Sequence, residues 1–269
     1  MKSTYFIFLF SVILFSCGND TSDSLQVEVS GSGSLAVGIV TPKGEVQIIE
    51  PVIDGEVVVI ENNGITLAEV KTGNNEKATI VLNTKQFTEG ENHLRFSVEG
   101  VYAYSIAYLA NNYALSQFSS DIFNVELMYG NNVFLAFLTD KNGISIKTNK
   151  GSVLRNAVLG GVESVFDMKH SHLFYHLPLE ETSDPILDFY LVNTAVSEKG
   201  NKVKVTINKT EFIINKWAAY RISGLNNSEN TVRIQLLDKN NKIIEGPFNN
   251  SGARRLVLKK TSKQPLVKF

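Results

Sequence analysis

The stretch Asn132-Val133-Phe134-Leu135-Ala136-Phe137-Leu138-Thr139-Asp140-Lys141-Asn142-Gly143 decides the fold, because the chain repeats its pattern later. The second copy is Thr231-Val232-Arg233-Ile234-Gln235-Leu236-Leu237-Asp238-Lys239-Asn240-Asn241. The two copies align when the first is allowed one inserted residue. Each copy joins an apolar run to an Asp-Lys-Asn segment, which is typical of a β-strand that ends in a tight turn.

The repeat extends upstream of both copies. A hairpin pattern, turning at asparagine, precedes each copy, and a strand pattern that ends at glycine lies between hairpin and copy. The hairpins span residues 104–118 and 202–214, and the strands span 122–130 and 219–224. Because order and spacing both recur, the sequence predicts two related units.

Short runs rich in Val, Ile, Phe and Tyr dominate the chain from Leu25 onward, and no window of a dozen residues shows a 3.6-residue period. The predicted class is all-β, with two tandem immunoglobulin-like β-sandwich domains that follow a lipoprotein signal peptide. We expect the domains at 24–162 and 165–265, with a boundary near Gly160-Gly161. The first domain is long enough to hold extra N-terminal strands between residues 25 and 70.

The N-terminus has the pattern of a bacterial lipoprotein. Lys2 precedes an apolar stretch that ends at Leu14-Phe15-Ser16-Cys17, and Cys17 is the single cysteine of the chain. This ending resembles a lipobox, which implies a signal peptide at 1–16, a lipidated Cys17 and a polar tether at 17–23. The expected location is therefore outside the cytoplasm, with the protein anchored to the outer membrane by lipid on Cys17.

The charge and cysteine content of the chain limit the class of partner and the means of stabilising the fold. Of 26 basic residues, removal of Lys2 with the signal leaves 25, against 27 acidic residues. This near-neutral balance argues against a nucleic-acid partner, which would require a basic surface. With no cysteine beyond the anchor, no disulfide is available, and the core alone must stabilise the fold.

Three of the four histidines lie in one segment, His170-Ser171-His172-Leu173-Phe174-Tyr175-His176. On a strand, His170 and His172 would share a face about 7 Å apart and could bind one transition metal. The alternative is that these side chains decorate an exposed face without a ligand. No other cofactor is indicated.

Aromatic residues suggest a recognition surface. Tyr102, Tyr104 and Tyr108 have the same strand parity, so they could form one stacking platform for a sugar or a peptide. Packing in the core is the competing interpretation. The lone Trp217 is predicted to be a core residue.

Charged clusters give two further hypotheses. Arg254 and Arg255 could hold a phosphate or carboxylate, or they could protect an edge strand by their charge. The carboxylates around Pro185 could support a hydrolase site between the domains, although a solvated loop explains them as well.

The second half of the chain resembles a family of Bacteroidota outer-membrane lipoproteins whose members are often labelled "phosphopeptide-binding protein". The similar segments are 187–193, 200–203, 206–208, 216–217, 224–225, 229–231 and 246–249. The resemblance covers roughly residues 165–258, and 88–148 more loosely. It implies a sandwich fold and a lipid anchor. The family carries histidines in its first domain where this chain has Ser105-Ile106-Ala107 and Thr139-Asp140-Lys141, so a family ligand site there is not expected here.

These observations together favour a membrane-anchored, non-enzymatic binding or structural lipoprotein of the cell envelope. Its β-sandwich surfaces would be presented to an envelope protein, a peptide or a glycan. A transition-metal-handling lipoprotein that uses His170 and His172, and a hydrolase with its site between the domains, are the alternatives.

Overall fold

The computed structural model describes residues 38–40, 46–48, 57–73, 76–176, 181–227 and 229–259. Every regular element in these ranges is a β-strand, which confirms the predicted all-β class. The strands are β1 (Gly38–Val40), β2 (Val46–Ile48), β3 (Val59–Asn62), β4 (Ile65–Val70), β5 (Thr79–Leu82), β6 (Gly90–Glu99), β7 (Ser105–Ala110), β8 (Ala114–Phe118), β9 (Ile122–Leu127), β10 (Gly130–Thr139), β11 (Ser152–Leu159), β12 (His172–His176), β13 (Glu181–Thr182), β14 (Ile186–Val192), β15 (Lys202–Ile207), β16 (Thr210–Ile214), β17 (Ala219–Ser223), β18 (Glu229–Leu237) and β19 (Arg254–Leu258). Within these ranges no helix is long and apolar enough to cross a membrane.

The first sandwich consists of a three-stranded sheet, β5-β6-β9, and a four-stranded sheet, β11-β10-β7-β8, both antiparallel. Alternate residues of each strand point between the sheets and form an apolar core. An aromatic stack crosses this core, with the Phe118 and Phe123 ring centroids 3.8 Å apart and those of Phe96 and Phe123 5.4 Å apart.

The second sandwich contains the sheets β12-β14-β17-β4-β3 and β13-β19-β18-β15-β16. Its strand pairs are antiparallel except for β13 with β19, which are parallel. The side chains between the sheets form a second, separate core, in which Leu67, Leu187 and Tyr220 are fully buried. Two immunoglobulin-like sandwiches are thus present as predicted, but they are not strictly in tandem, because β3 and β4 precede the first sandwich in the chain and belong to the second.

The internal sequence repeat corresponds to a structural repeat. The sheet order β11-β10-β7-β8 of the first sandwich matches β19-β18-β15-β16 of the second. At the start of β10, the Asn132 side chain accepts a hydrogen bond from Met128 N (2.9 Å) and donates one to Met128 O (2.7 Å). Asn230 makes the same pair of bonds with Asn226 in β18, at 3.2 and 2.9 Å. Each asparagine therefore closes the loop that leads into its strand.

The turns after these strands also match. The Asp140 carboxylate accepts hydrogen bonds from the backbone N–H groups two and four residues later, at 2.8 and 3.0 Å. Asp238 accepts the two corresponding bonds, both at 2.8 Å. The Asp-Lys-Asn segments recur because the aspartate supplies the acceptor that such a turn needs.

One part of the predicted domain division is wrong. We expected residues 25–70 to supplement the first domain, but β3 and β4 belong to the second sandwich. β4 pairs antiparallel with β17 from Val70 opposite Ala219 to Thr66 opposite Ser223. The apolar faces of both strands complete the second core. The local sequence of a strand does not specify which strand it will pair with. The first domain also separates β3 and β4 from β17 in the sequence.

The two sandwiches pack against each other through a third apolar cluster. The outward faces of β7, β10 and β11 contact residues of β12 and β14. In this cluster Phe137 of β10 packs with Phe174 of β12 and Tyr190 of β14. β10 is therefore buried on both faces from Asn132 to Thr139. The continuous apolar run 133–138 is typical of a strand with both faces covered. The described residues all belong to one compact unit.

The predicted signal peptide at 1–16 and the tether at 17–23, with Cys17, lie outside the described residues.

Candidate functional site

A buried ion pair joins the two sandwiches beside the third cluster. Lys147, in the loop between β10 and β11, reaches Asp188 in the middle of β14. The same ammonium group donates to Ser145 Oγ and to Phe189 O, the latter at 2.6 Å. Asp188 also accepts hydrogen bonds from Ser145 N (2.8 Å) and Ser145 Oγ (2.7 Å). Burial lowers the pKa of Lys147, and the Asp188 carboxylate opposes that shift.

The loop that carries Lys147 is held from both sides. Thr148 Oγ1 donates to Ala78 O (3.0 Å), and Ile80 N donates to Lys150 O (2.9 Å), so the loop is bound to the start of β5. From the second sandwich, the Tyr190 hydroxyl donates to Thr148 O at 2.9 Å. Because both sandwiches hold this loop, its position depends on the junction being formed.

A cleft of about 600 Å³ opens at this junction, and we call it the junction cleft. Its volume lies within the range of small-molecule sites, which occur preferentially between domains. The side chains that matter for recognition come from the start of β5, from the Lys147 loop and from the second sandwich: Glu76, Lys77, Thr79, Asn149, Lys150 and Trp217.

Trp217 provides the aromatic wall of the junction cleft. It is half-buried, its Nε1–H donates to Phe189 O (3.2 Å), and its ring meets Tyr190 edge to face at 4.9 Å between centroids. We predicted a core residue, and the structure confirms that Trp217 packs on the cores but adds that it lines the cleft.

Two ammonium groups face the junction cleft without a protein partner. Lys77 and Lys150 are exposed, and among the described residues neither ammonium group has a hydrogen bond or an ion pair. Lys147 is different, because its ammonium group is already bonded to three acceptors and cannot serve a ligand. The positive charge available to a ligand therefore comes from Lys77 and Lys150, and Glu76 adds one carboxylate to the lining of the cleft.

The predicted tyrosine platform is wrong. β7 begins at Ser105, after Tyr102 and Tyr104, so the three side chains do not share one strand face. Tyr108 lies in the first core and is only 6% exposed. The Tyr104 hydroxyl donates to Asp121 Oδ1 at 2.8 Å, and burial together with this carboxylate raises the pKa of Tyr104 to about 12. Only Tyr102, at 95% exposure, is free to contact a partner.

Arg254 and Arg255 are both engaged within the protein. Arg254 donates to Tyr175 Oη (2.9 Å) and to Asn112 O (3.3 Å) in the turn between β7 and β8, so it is a second polar link between the sandwiches. Arg255 forms an exposed ion pair with Glu229, with an N···O distance of 3.2 Å. Arg255 is therefore paired with a carboxylate, whereas Arg254 is held by a hydroxyl and a backbone carbonyl.

His170 and His172 lie close together but not on one strand face. β12 begins at His172, and His170 belongs to the preceding turn; their ring centroids are 6.0 Å apart. Each Nε2 lies near a backbone carbonyl, 2.9 Å from Glu245 O for His170 and 2.7 Å from Asp167 O for His172. In the described part of the chain, no three His, Cys, Asp or Glu side chains gather closely enough to hold a metal ion.

The carboxylates near Pro185 do not form a pair. Asp184 binds Arg221 through two bonds, at 2.6 and 3.0 Å, while Asp188 is buried against Lys147. The guanidinium of Arg221 lowers the pKa of Asp184. These two carboxylates therefore bind different cations.

Lys77, Lys147 and Lys150 were not predicted from the sequence as functional residues. One pattern could have pointed to Lys147: Asp188 interrupts the apolar run 186–192, and a carboxylate within a strand buried on both faces needs a buried cation. Nothing local marks Lys77 or Lys150, because exposed lysines are common and only the junction brings them beside Trp217.

Comparisons with known proteins were made at the level of sequence and structure. No protein-family model and no curated protein matches this chain. Among solved structures, the fibronectin(III)-like modules of Clostridium thermocellum CbhA are 7% identical, with 67% of this chain and 94% of that chain covered and a TM-score of 0.26. SGBP-B of the Bacteroides ovatus mixed-linkage glucan utilization locus, in complex with a mixed-linkage heptasaccharide, is 9% identical, with 67% and 70% covered and a TM-score of 0.22. At these scores the likeness says nothing of ligand or activity.

Proposed function

We propose that this protein is a non-enzymatic binding lipoprotein, anchored to the outer membrane through Cys17, whose ligand site is the junction cleft. The observation that carries the proposal is the combination, in one cleft, of a half-buried Trp217 with the ammonium groups of Lys77 and Lys150, which have no partner among the described residues. Recognition groups line the cleft, and among the described residues no three His, Cys, Asp or Glu side chains gather closely enough to hold a metal ion.

The junction holds this cleft in a preformed shape. The Lys147–Asp188 pair, the Tyr190 hydroxyl and the third apolar cluster all fix the loop that forms one wall. A site whose walls are already ordered loses less conformational entropy when the ligand binds. Two sandwiches that are packed together are therefore suited to binding a ligand in the space between them.

The chemistry of the wall favours a glycan segment that carries carboxylate or sulfate groups. An indole ring offers a flat apolar surface for a sugar ring, and Thr79 and Asn149 offer hydrogen-bonding groups. Lysine ammonium groups are donors only, so Lys77 and Lys150 require acceptors, and anionic acceptors bind them most strongly. An acidic peptide is the alternative ligand.

The experiment is a titration followed by fluorescence, because Trp217 is the single tryptophan of the chain and reports on the cleft alone. Acidic oligosaccharides, matched neutral oligosaccharides and an acidic peptide are added to the full-length protein. We expect saturable quenching or a spectral shift with the acidic oligosaccharides, weakened by added salt.

Variants show whether the cleft is responsible. The double substitution Lys77→Gln and Lys150→Gln should weaken binding about tenfold or more, by loss of two charge-assisted contacts. The matched control changes Lys209→Gln and Lys239→Gln, two exposed lysines of the second sandwich that do not line the cleft. Equal binding by both double variants, or no response to any sugar or peptide, would rule out the proposed site.

A further inference from the structure

The edge strand β8 of the first sandwich is open and uncharged. It terminates the sheet β11-β10-β7-β8, so one side of its backbone has no neighbouring strand in the part of the chain that the structure describes. Residues Ala114 to Gln117 are exposed, and Phe118 is half-buried. From Asn111 to Ser120 the chain contains no charged residue and no proline. Proteins usually protect such edges with charge, proline or a covering segment, because an open edge pairs readily with another strand.

The second sandwich provides an internal comparison. Its corresponding edge strand is β16, which occupies the same place in the sheet order. Glu211 on β16 forms an ion pair with Lys204 at 2.8 Å, so this edge carries charge. It is also covered, because Asn62 at the end of β3 donates from Nδ2 to Glu211 O at 3.0 Å. The same structural position is thus protected in one sandwich and open in the other.

Apolar side chains flank the open edge at both ends. Tyr113, immediately before β8, is 83% exposed, and Leu115 on β8 is 41% exposed. Tyr102 lies at the opposite end, because β7 runs antiparallel to β8 and Tyr102 precedes β7 by three residues. An aromatic residue at each end of an uncharged strand suits a partner that carries the same arrangement in reverse.

We propose that β8 is the edge through which two copies of this chain associate, with β8 of one copy antiparallel to β8 of the other. A two-fold axis through the strand makes the surface self-complementary, since each copy offers the same unpaired backbone groups in the opposite direction. The absence of charge means that no like charges are placed opposite each other. In this arrangement Tyr113 of each copy approaches the end of β8 near Tyr102 of its partner. The association does not depend on the junction cleft.

Charge substitutions at Ser116 test the pairing directly. Ser116 is exposed at the middle of β8, so in a symmetric pair the Ser116 residues of the two copies lie near each other. The full-length protein in detergent is examined by analytical ultracentrifugation over a range of concentrations. We expect a reversible dimer for the unchanged protein. Ser116→Glu and Ser116→Lys should each raise the dimer dissociation constant about tenfold or more, by like-charge repulsion.

An equimolar mixture of the two variants shows whether the dimer is lost through charge repulsion between two copies or through damage to the fold of each variant. Because glutamate then faces lysine, the mixture should return to the dimer. Glu211→Lys on β16 is the matched control and should leave the association unchanged. Circular dichroism spectra and melting temperatures of all variants establish that they are folded. A monomer at every concentration of the unchanged protein, or variants that dimerise as well as it does, would overturn the proposal.

Discussion

Lys147 of the first sandwich and Asp188 of the second form an ion pair that is almost completely withdrawn from solvent, with side-chain exposures of 11% and 4%. Ser145 and Phe189 O also form hydrogen bonds with this pair, and the Phe189 and Tyr190 rings lie 5.5 and 5.8 Å from the ammonium group. A buried pair of this kind does not by itself make the fold more stable than an apolar contact would. Its consequence is geometric: the sandwiches can satisfy both charges only in one relative position.

Loss of one partner of this pair should be costly. Lys147→Met leaves the Asp188 carboxylate buried without its cation, and we expect the free energy of unfolding to fall by about 3–5 kcal/mol. Urea denaturation measures the change. The exposed pair of Lys204 and Glu211 provides the control, because Lys204→Met there should cost less than about 1 kcal/mol. Equal losses at both sites would contradict the structural role of the buried pair.

Stability should decline as the solution becomes mildly acidic, and His172 should be responsible for part of this decline. The ring is buried, its Nε2–H donates to Asp167 O, and Nδ1 has no hydrogen-bond partner among the described residues. Burial lowers the pKa of His172 below its usual 6.5, and the Asp167 carbonyl opposes the shift. The unfolded chain then binds the proton more readily, so stability is lost as the pH falls from about 6.5 towards the folded-state pKa.

The test for His172 is a set of unfolding curves between pH 8 and pH 5, a range chosen to span the roughly 6.5 reference value. His172→Phe, beside the Phe166 and Phe174 rings, should flatten the pH dependence in that window. His93→Gln is the control, because His93 is exposed and bonded only to Asn124 in the first sandwich. A profile that stays the same in the phenylalanine variant would show that another group titrates.

Asn132, the asparagine near the start of β10, should contribute more to stability than Asn142 in the turn after that strand. Besides its two bonds to Met128, Asn132 donates to Gly130 O (3.3 Å) and Ala157 O (3.2 Å), and it is buried. Asn132→Ala leaves buried carbonyls without donors and should lower the free energy of unfolding by about 1–3 kcal/mol. Asn142→Ala, at an exposed turn position, should change it little, as denaturant titration of both variants would reveal.

The anchor is tested by mass spectrometry of the N-terminal peptide. If Cys17 is acylated after removal of residues 1–16, the mature chain begins at that cysteine and carries more lipid mass than a single chain supplies. Cys17→Ser should remove the lipid and release the protein from the membrane fraction. An unmodified Cys17 in membrane-bound protein would contradict the anchor.

Much of the fold is predictable because it is written in local patterns. The strand runs and the Asp-Lys-Asn turns after β10 and β18 identify two related sandwiches. The assignment of β3 and β4 failed because an exposed strand edge does not specify its partner by sequence. The prediction for Tyr102, Tyr104 and Tyr108 failed because parity has meaning only within one strand, and β7 begins after two of them.

The candidate site was not predictable for a different reason. Trp217 was recognised as an unusual residue, but Lys77 and Lys150 became notable only when the sandwiches packed and brought them beside it.

The amino-acid order alone therefore established an all-β chain with a duplicated sandwich, since alternation and turn chemistry act between neighbours a few residues apart. Folding in three dimensions determined that β3 and β4 complete the second sandwich, that both faces of β10 are buried, and that a cleft opens at the junction. These features depend on which surfaces bury each other, and that outcome is set by the packing of segments far apart in the chain.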